Sequence, residues 1–225
     1  MKDITERLYD KQDLKYRDFT AKLIPGISEE RIIGVRLPEI RKIAKGMIKE
    51  GEYEDFLDEL PHYYQEENQL HSFIISYMNI SFEEGIRMME KFLPYIDNWA
   101  VCDSFKPEFL KKEHEKGKPY IKKWLNSGET YTVRSALVIL LNWYLDSEDD
   151  LEFLDLVAEI KSEEYYVNMA AAWYFSIALV KYYERTLPFI EKRRLSPEIH
   201  RKTIQKFIES MQADNERKEY LRTLK

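Results

Sequence analysis

Apolar residues recur along the chain at spacings of three and four, the repeat of a helix with one buried face. Leu37-Ile40-Ile43-Ala44-Met47-Ile48 is one such stripe, and Phe105-Phe109-Leu110 is a shorter one. Val133-Leu137-Leu140-Leu141-Tyr144 and Leu151-Leu154-Val157-Ala158 are two more. Strict alternation over the length of a strand is hard to find. Helix punctuation falls at short intervals between the stripes. Pro38 belongs to a first turn, where a missing N–H costs nothing. Ser81-Phe82-Glu83-Glu84 has the character of a capping box. Ser28-Glu29-Glu30-Arg31, Ser147-Glu148-Asp149-Asp150, Ser162-Glu163-Glu164 and Ser196-Pro197-Glu198 read as further starts. Each offers a capping hydroxyl, with carboxylates close to the positive end of the helix dipole.

The pattern predicts about a dozen helices of ordinary length joined by short turns. No Gly/Ser/Pro-rich linker interrupts them, so residues 1–225 read as a single domain. Helix pairs with a period of about 40 residues suggest HEAT-like stacking. The expected fold is all-α, a right-handed superhelical solenoid of antiparallel helix pairs. A compact bundle would show fewer and longer helices.

Composition agrees with helices: 7 glycines and 34% charged residues suit solvated helix faces better than the turns of a sandwich or barrel. Aromatics are abundant, with 16 Tyr and 4 Trp, so large flat rings line the interior or a groove. Cys102 is the one cysteine, which excludes an intramolecular disulfide and a metal site of several thiolates. A reducing cytoplasm is the simple inference. Met1–Thr5 has no apolar core of signal-peptide length. The apolar run Ala136–Leu141 is far short of a membrane span.

The net charge of −6 argues by itself against nucleic acid, but the charge is unevenly placed. Residues 106–123 hold seven lysines and three acids, and residues 146–164 hold nine acids and one lysine. Residues 191–206 hold six Lys or Arg against two Glu. A basic face on an acidic protein is one reading. Ordinary solvated helix faces are the other.

Three segments together resemble the AlkD-like DNA alkylation repair family, DNA glycosylases built of HEAT-like helix pairs. Asp97-Asn98-Trp99-Ala100-Val101-Cys102-Asp103 resembles its Trp-x-x-x-Asp element. Val133-Arg134-Ser135-Ala136 resembles its arginine-bearing helix, and Asn168-Met169-Ala170-Ala171-Ala172-Trp173 a helix presenting a second tryptophan. The stretch Gly34-Val35-Arg36-Leu37-Pro38-Glu39-Ile40-Arg41 is similar to the family's start. The resemblance covers most of the chain, and its order of elements is more specific than any one of them.

What the resemblance implies is chemically coherent. A purine alkylated at N3 or N7 is cationic and leaves without a general acid. The sugar left behind becomes oxocarbenium-like, and a carboxylate beside it stabilises that charge. Asp103 is the candidate, and it could also orient or deprotonate the attacking water. Trp99 and Trp173 would present indole faces to the cationic nucleotide on a concave surface, without a deep base-flipping pocket. Arg134 would hold a phosphate as a bidentate donor. Lys111, Lys112, Lys118, Arg201 and Lys202 would supply less specific phosphate contacts. The implied partner is double-stranded DNA carrying alkylated bases. No cofactor and no metal is implied.

Taken singly, each residue has a plainer reading. Trp99 and Trp173 suit a core, Asp103 a partner for Lys106, and Arg134 a buried ion pair. A non-catalytic scaffold that binds DNA structure or a protein is the rival function. It is favoured by the acidic balance and by Tyr174-Phe175-Ser176, where well-studied members often carry a basic residue. His62, His71, His114 and His200 are scattered, with no close metal-ligand spacing. Cys102 reads as a buried filler. Gly26, Gly34 and Gly46 are too far apart for a phosphate loop. Tyr63-Tyr64, Tyr165-Tyr166 and Tyr182-Tyr183 read as interface pairs, with one member of the second able to face a groove.

Overall fold

The computed structural model describes residues 3–146 and 150–225. Among these residues the chain is all-helical, with fifteen α-helices. Extended pairing amounts to an isolated bridge between Gln12 and Val35. No described helix is long and apolar enough to cross a membrane. The chain divides into two compact units, residues 1–113 and 114–225.

The first unit contains α1 (Ile4–Tyr9), α2 (Leu14–Leu23), a 3-10 turn (Glu29–Arg31) and α3 (Leu37–Glu50). It continues through α4 (Glu54–Asp58), α5 (Gln65–Tyr77), α6 (Phe82–Phe92), α7 (Trp99–Ser104) and α8 (Glu108–Lys112). α3 buries Ile40, Ile43, Ala44 and Met47, the centre of the expected stripe. It lies beside α5, and α5 beside α7. All three begin at one edge. The Glu66 carboxylate, in the first turn of α5, accepts the N–H groups of Ile33, Gly34 and Val35 just ahead of α3. Gln65 bonds Asn98, the residue that caps α7.

The second unit contains α9 (His114–Leu125), α10 (Thr130–Ile139), a π-helical turn (Leu140–Tyr144) and α11 (Glu152–Ala158). Then come α12 (Tyr165–Lys181), α13 (Tyr183–Glu191), α14 (Pro197–Glu209) and α15 (Asn215–Thr223). α10, α12 and α14 lie side by side. Polar ties near their starts hold the row: Arg134 Nη1 donates to the Tyr166 carbonyl at 2.9 Å, and Asn168 Nδ2 to Glu198 at 3.2 Å. Between its exposed ends, Tyr165 and Lys181, α12 is buried except for a half-open stripe of Tyr166, Met169, Trp173, Ile177 and Val180.

The expected starts are found at Pro38, at Ser81, whose hydroxyl accepts the Glu84 N–H, and at Ser196. Three sequence readings are corrected. Ser28 opens a 3-10 turn rather than an α-helix. Ser162 is not the cap of α12, which begins at Tyr165; its hydroxyl accepts the Glu164 N–H inside a preceding turn. Phe105 leaves the stripe shared with Phe109 and Leu110, because it ends α7 in an extended conformation. Pro107 follows two residues later and disfavours helical backbone at Lys106. The start expected at Ser147 lies outside the described residues apart from Asp150.

In the second unit the charge blocks answer one another. Lys118 binds Glu115 and Asp150, Lys122 binds Glu152, and Arg194 binds Asp155. Lys181 pairs with Asp146. Lys118, Lys122 and Arg194 of the basic stretches thus neutralise part of the acidic stretch within their own unit.

Candidate functional site

The site of interest in the first unit is built on the short helix α7. Asn98 caps it, its side-chain oxygen accepting the N–H groups of Ala100 and Val101 at 3.0 and 3.3 Å. This satisfies donors that a helix start otherwise leaves bare. The Asn98 amide also gives a hydrogen to Gln65 at 2.6 Å and receives one at 3.2 Å. Asp97, on the other side, accepts from Arg31 at 2.9 Å. The register of α7 is therefore fixed from both flanks, and Trp99 and Asp103 fall one turn apart on one face.

Trp99 and Asp103 line a pocket of about 180 Å³. Across from them stands α2, contributing Tyr16, Phe19, Thr20 and Leu23. The floor comes from α5 and the start of α3, with Gln65, Glu66, Gln69, Leu37 and Arg41. The indole N–H of Trp99 donates to the Leu23 carbonyl at 3.1 Å, so its polar end is tied to the last residue of α2. Its ring packs beside the buried cluster of Ile24, Ile27 and Ile32.

α2 itself has no buried residue, so its place must be fixed by other means. Gly34 does this. Its φ of +92° is open to glycine, and a Cβ there would stand 2.6 Å from Arg17 Cβ and 2.7 Å from the Asp13 carbonyl. The Gly34 carbonyl accepts the Asp13 N–H at 2.9 Å. Arg36 reaches the Asp13 carboxylate at 2.8 Å and lies over the Tyr16 ring at 4.8 Å. Beneath, burial pushes the Glu66 carboxyl above its usual range, against the pull of its three backbone N–H partners.

The other expected site residues lie in different surroundings. Trp173 is half-buried in the open stripe of α12. Arg134 is 7% exposed. Its Nη1 is committed to the Tyr166 carbonyl, and its guanidinium lies 5.9 Å from the Tyr166 ring centre. That bond ties α10 to α12. Tyr166 stacks obliquely on Tyr131, while Tyr165 is exposed. Lys118 is likewise held within its own unit. Burial works against its charge, but the bonds to Glu115 and Asp150 prevail and raise its pKa.

Lys111 and Lys112 end α8, and Lys112 bonds Asn79 beyond the C-terminal end of α5. The pocket sits at the other end of α5, about 18 Å away along a helix of this length. The pocket and these two lysines are therefore not brought together. Arg201 and Lys202 lie on the outer side of α14. His114, Glu115 and Asp150 approach one another closely enough to hold a metal ion. The Lys118 ammonium already lies 2.9 Å from Glu115 and 3.0 Å from Asp150, so a cation is built into that cluster.

Sequence reasoning missed the α2 wall and the buried His62–His71 contact. The wall had a signal: Tyr16, Phe19, Thr20 and Leu23 follow helical spacing. The histidines, nine apart, had none.

The chain matches the family model described as DNA alkylation repair enzyme over residues 4–210, and it belongs to that family. DNA repair is the role, and DNA the substrate, that this membership gives it. No curated protein matches the chain.

Proposed function

We propose that the protein is a DNA glycosylase that releases cationic N3- and N7-alkylated purines from double-stranded DNA. The observation that carries the reading is the shared pocket of Trp99 and Asp103, set by the Asn98 cap and the Leu23 carbonyl. The alkylated base is already charged, and it leaves with the electrons of the glycosidic bond as a neutral purine. The sugar C1′ becomes cationic in the same step. The Asp103 carboxylate stabilises that cation, and the Trp99 ring face flanks it. Water then adds to C1′, and Asp103 takes its proton. Nothing in this sequence of steps calls for a metal or cofactor.

Within the second unit, Trp173 offers a ring face to DNA from the open stripe of α12, and Arg134 positions α12 beside α10. Arg201, Lys202, Lys111 and Lys112 are phosphate contacts in this reading. The rows α3–α5–α7 and α10–α12–α14 are read as one helix from each of several HEAT-like antiparallel pairs.

The test is release of 7-methylguanine and 3-methyladenine from methylated DNA. Wild type should release both, and Asp103→Asn should be slower by about a hundredfold or more, the usual scale for losing a charge-stabilising group. Equal inertness of both proteins beside an active control enzyme overturns the reading. A non-catalytic scaffold is the second reading, favoured by the internal neutralisation of Lys118, Lys122 and Arg194. It predicts binding to alkylated duplex with no base released.

A further inference from the structure

We propose that α2 forms an apolar lip over this pocket, and that Phe19 covers the cationic base as it leaves. The proposal rests on the glycosylase reading and says what that site selects.

Volume is the first argument. At about 180 Å³ the pocket is well below the roughly 300–1,000 Å³ of sites that enclose a drug-sized ligand. In this proposal the sugar faces Asp103 inside the pocket and the attached base lies at the rim.

The second argument is what the rim presents. Phe19 is 58% exposed and Leu23 46% exposed, both large apolar side chains that also line the pocket. Exposure of this kind beside a polar site marks a contact surface. The Tyr16 ring carries the Arg36 guanidinium over its face. Phe19, 6.5 Å from Tyr16 between ring centres, turns most of its own ring to solvent. A cationic purine laid on that ring gains a cation–π contact that neutral guanine or adenine does not. As the glycosidic bond breaks the base loses its charge, the contact weakens, and the product is free to leave.

The third argument is rigidity. The lip is clamped at both ends, by Gly34 under Asp13 and Arg17 and by the Trp99 N–H on the Leu23 carbonyl. A helix with no buried residue is thus kept at a fixed distance from Asp103.

The experiment uses the full chain and a duplex carrying 7-methyl-2′-fluoro-2′-deoxyguanosine. The fluorine strengthens the glycosidic bond while the base stays cationic. Its dissociation constant is compared with that of the same duplex carrying unmodified guanine. Wild type should prefer the cationic base. Phe19→Ala should lose about five- to tenfold of that preference, the scale of one cation–π contact. Phe19→Tyr should keep it. The thermal melting of both variants should match wild type, since Phe19 is exposed. An unchanged preference in Phe19→Ala overturns the proposal. The outcomes separate from those of the glycosylase reading: if methylated DNA releases no base yet the preference depends on Phe19, catalysis fails and the lip stands.

Discussion

Asn98 and Gln65 exchange amide hydrogen bonds, 2.6 Å one way and 3.2 Å the other, with each residue 1% exposed. The same Asn98 oxygen caps α7. One side chain therefore holds the start of the helix that carries Trp99 and Asp103 and joins it to α5. Asn98→Ala removes the cap and leaves the Gln65 amide buried without its partner. A lost cap costs about 1 kcal/mol and a stranded buried amide about 1–3. The expected loss of stability is about 2–4 kcal/mol, read from urea unfolding. Asn98→Asp should lose less, because the cap survives, although the donated bonds to Gln65 and Asp97 are gone.

Gly34 should resist every replacement. Gly34→Ala would put a methyl group into the Arg17 Cβ and the Asp13 carbonyl, at a φ that disfavours alanine. Both obstacles sit on or beside the backbone of α2 and cannot swing aside. The variant should lose about 2 kcal/mol or more, as strained sites do. Hydrogen exchange should show faster amides in α2 than in α10. Equal protection in variant and wild type would show that α2 is held by something else.

The His62 and His71 rings share a hydrogen bond of 2.8 Å between Nε2 and Nδ1. They stack on Phe56 and Phe92 at 4.4 and 4.0 Å. Burial pushes His62 down from 6.5 to about 4 and His71 well below 6.5. The unfolded chain then binds protons that the folded chain refuses. Stability is full above pH 6.5 and falls as the pH drops toward 4, by on the order of 3 kcal/mol from His62 alone. Unfolding free energies measured between pH 7 and 4 should show this slope. His62→Gln should flatten it, and an equal slope in that variant would remove the pair from the account.

The sequence made some of this legible and hid the rest for physical reasons. The stripe Ile40-Ile43-Ala44-Met47 is readable because one helix face meets one core. Trp99 and Asp103 could be placed together because four residues make one turn. Phe105 was misplaced because apolar spacing does not register the proline that ends a helix nearby. The tie of Arg134 to the Tyr166 carbonyl is not legible in its own segment, because that carbonyl lies 32 residues away. The ion pair of Lys118 is hidden for the same reason: Asp150 lies in another block of the chain. The α2 wall was hidden because its apolar residues serve a pocket instead of a core.

The bond from Trp99 to the Leu23 carbonyl divides that side chain into two working ends. The ring face belongs to the pocket, and the N–H belongs to the architecture. A phenylalanine at this position would keep the face and cut the tether, leaving α2 held at one end. Ring chemistry and lip placement are therefore separable in a single residue. An aromatic exchange that looks conservative would change the reach of the site before it changed its affinity for a cation.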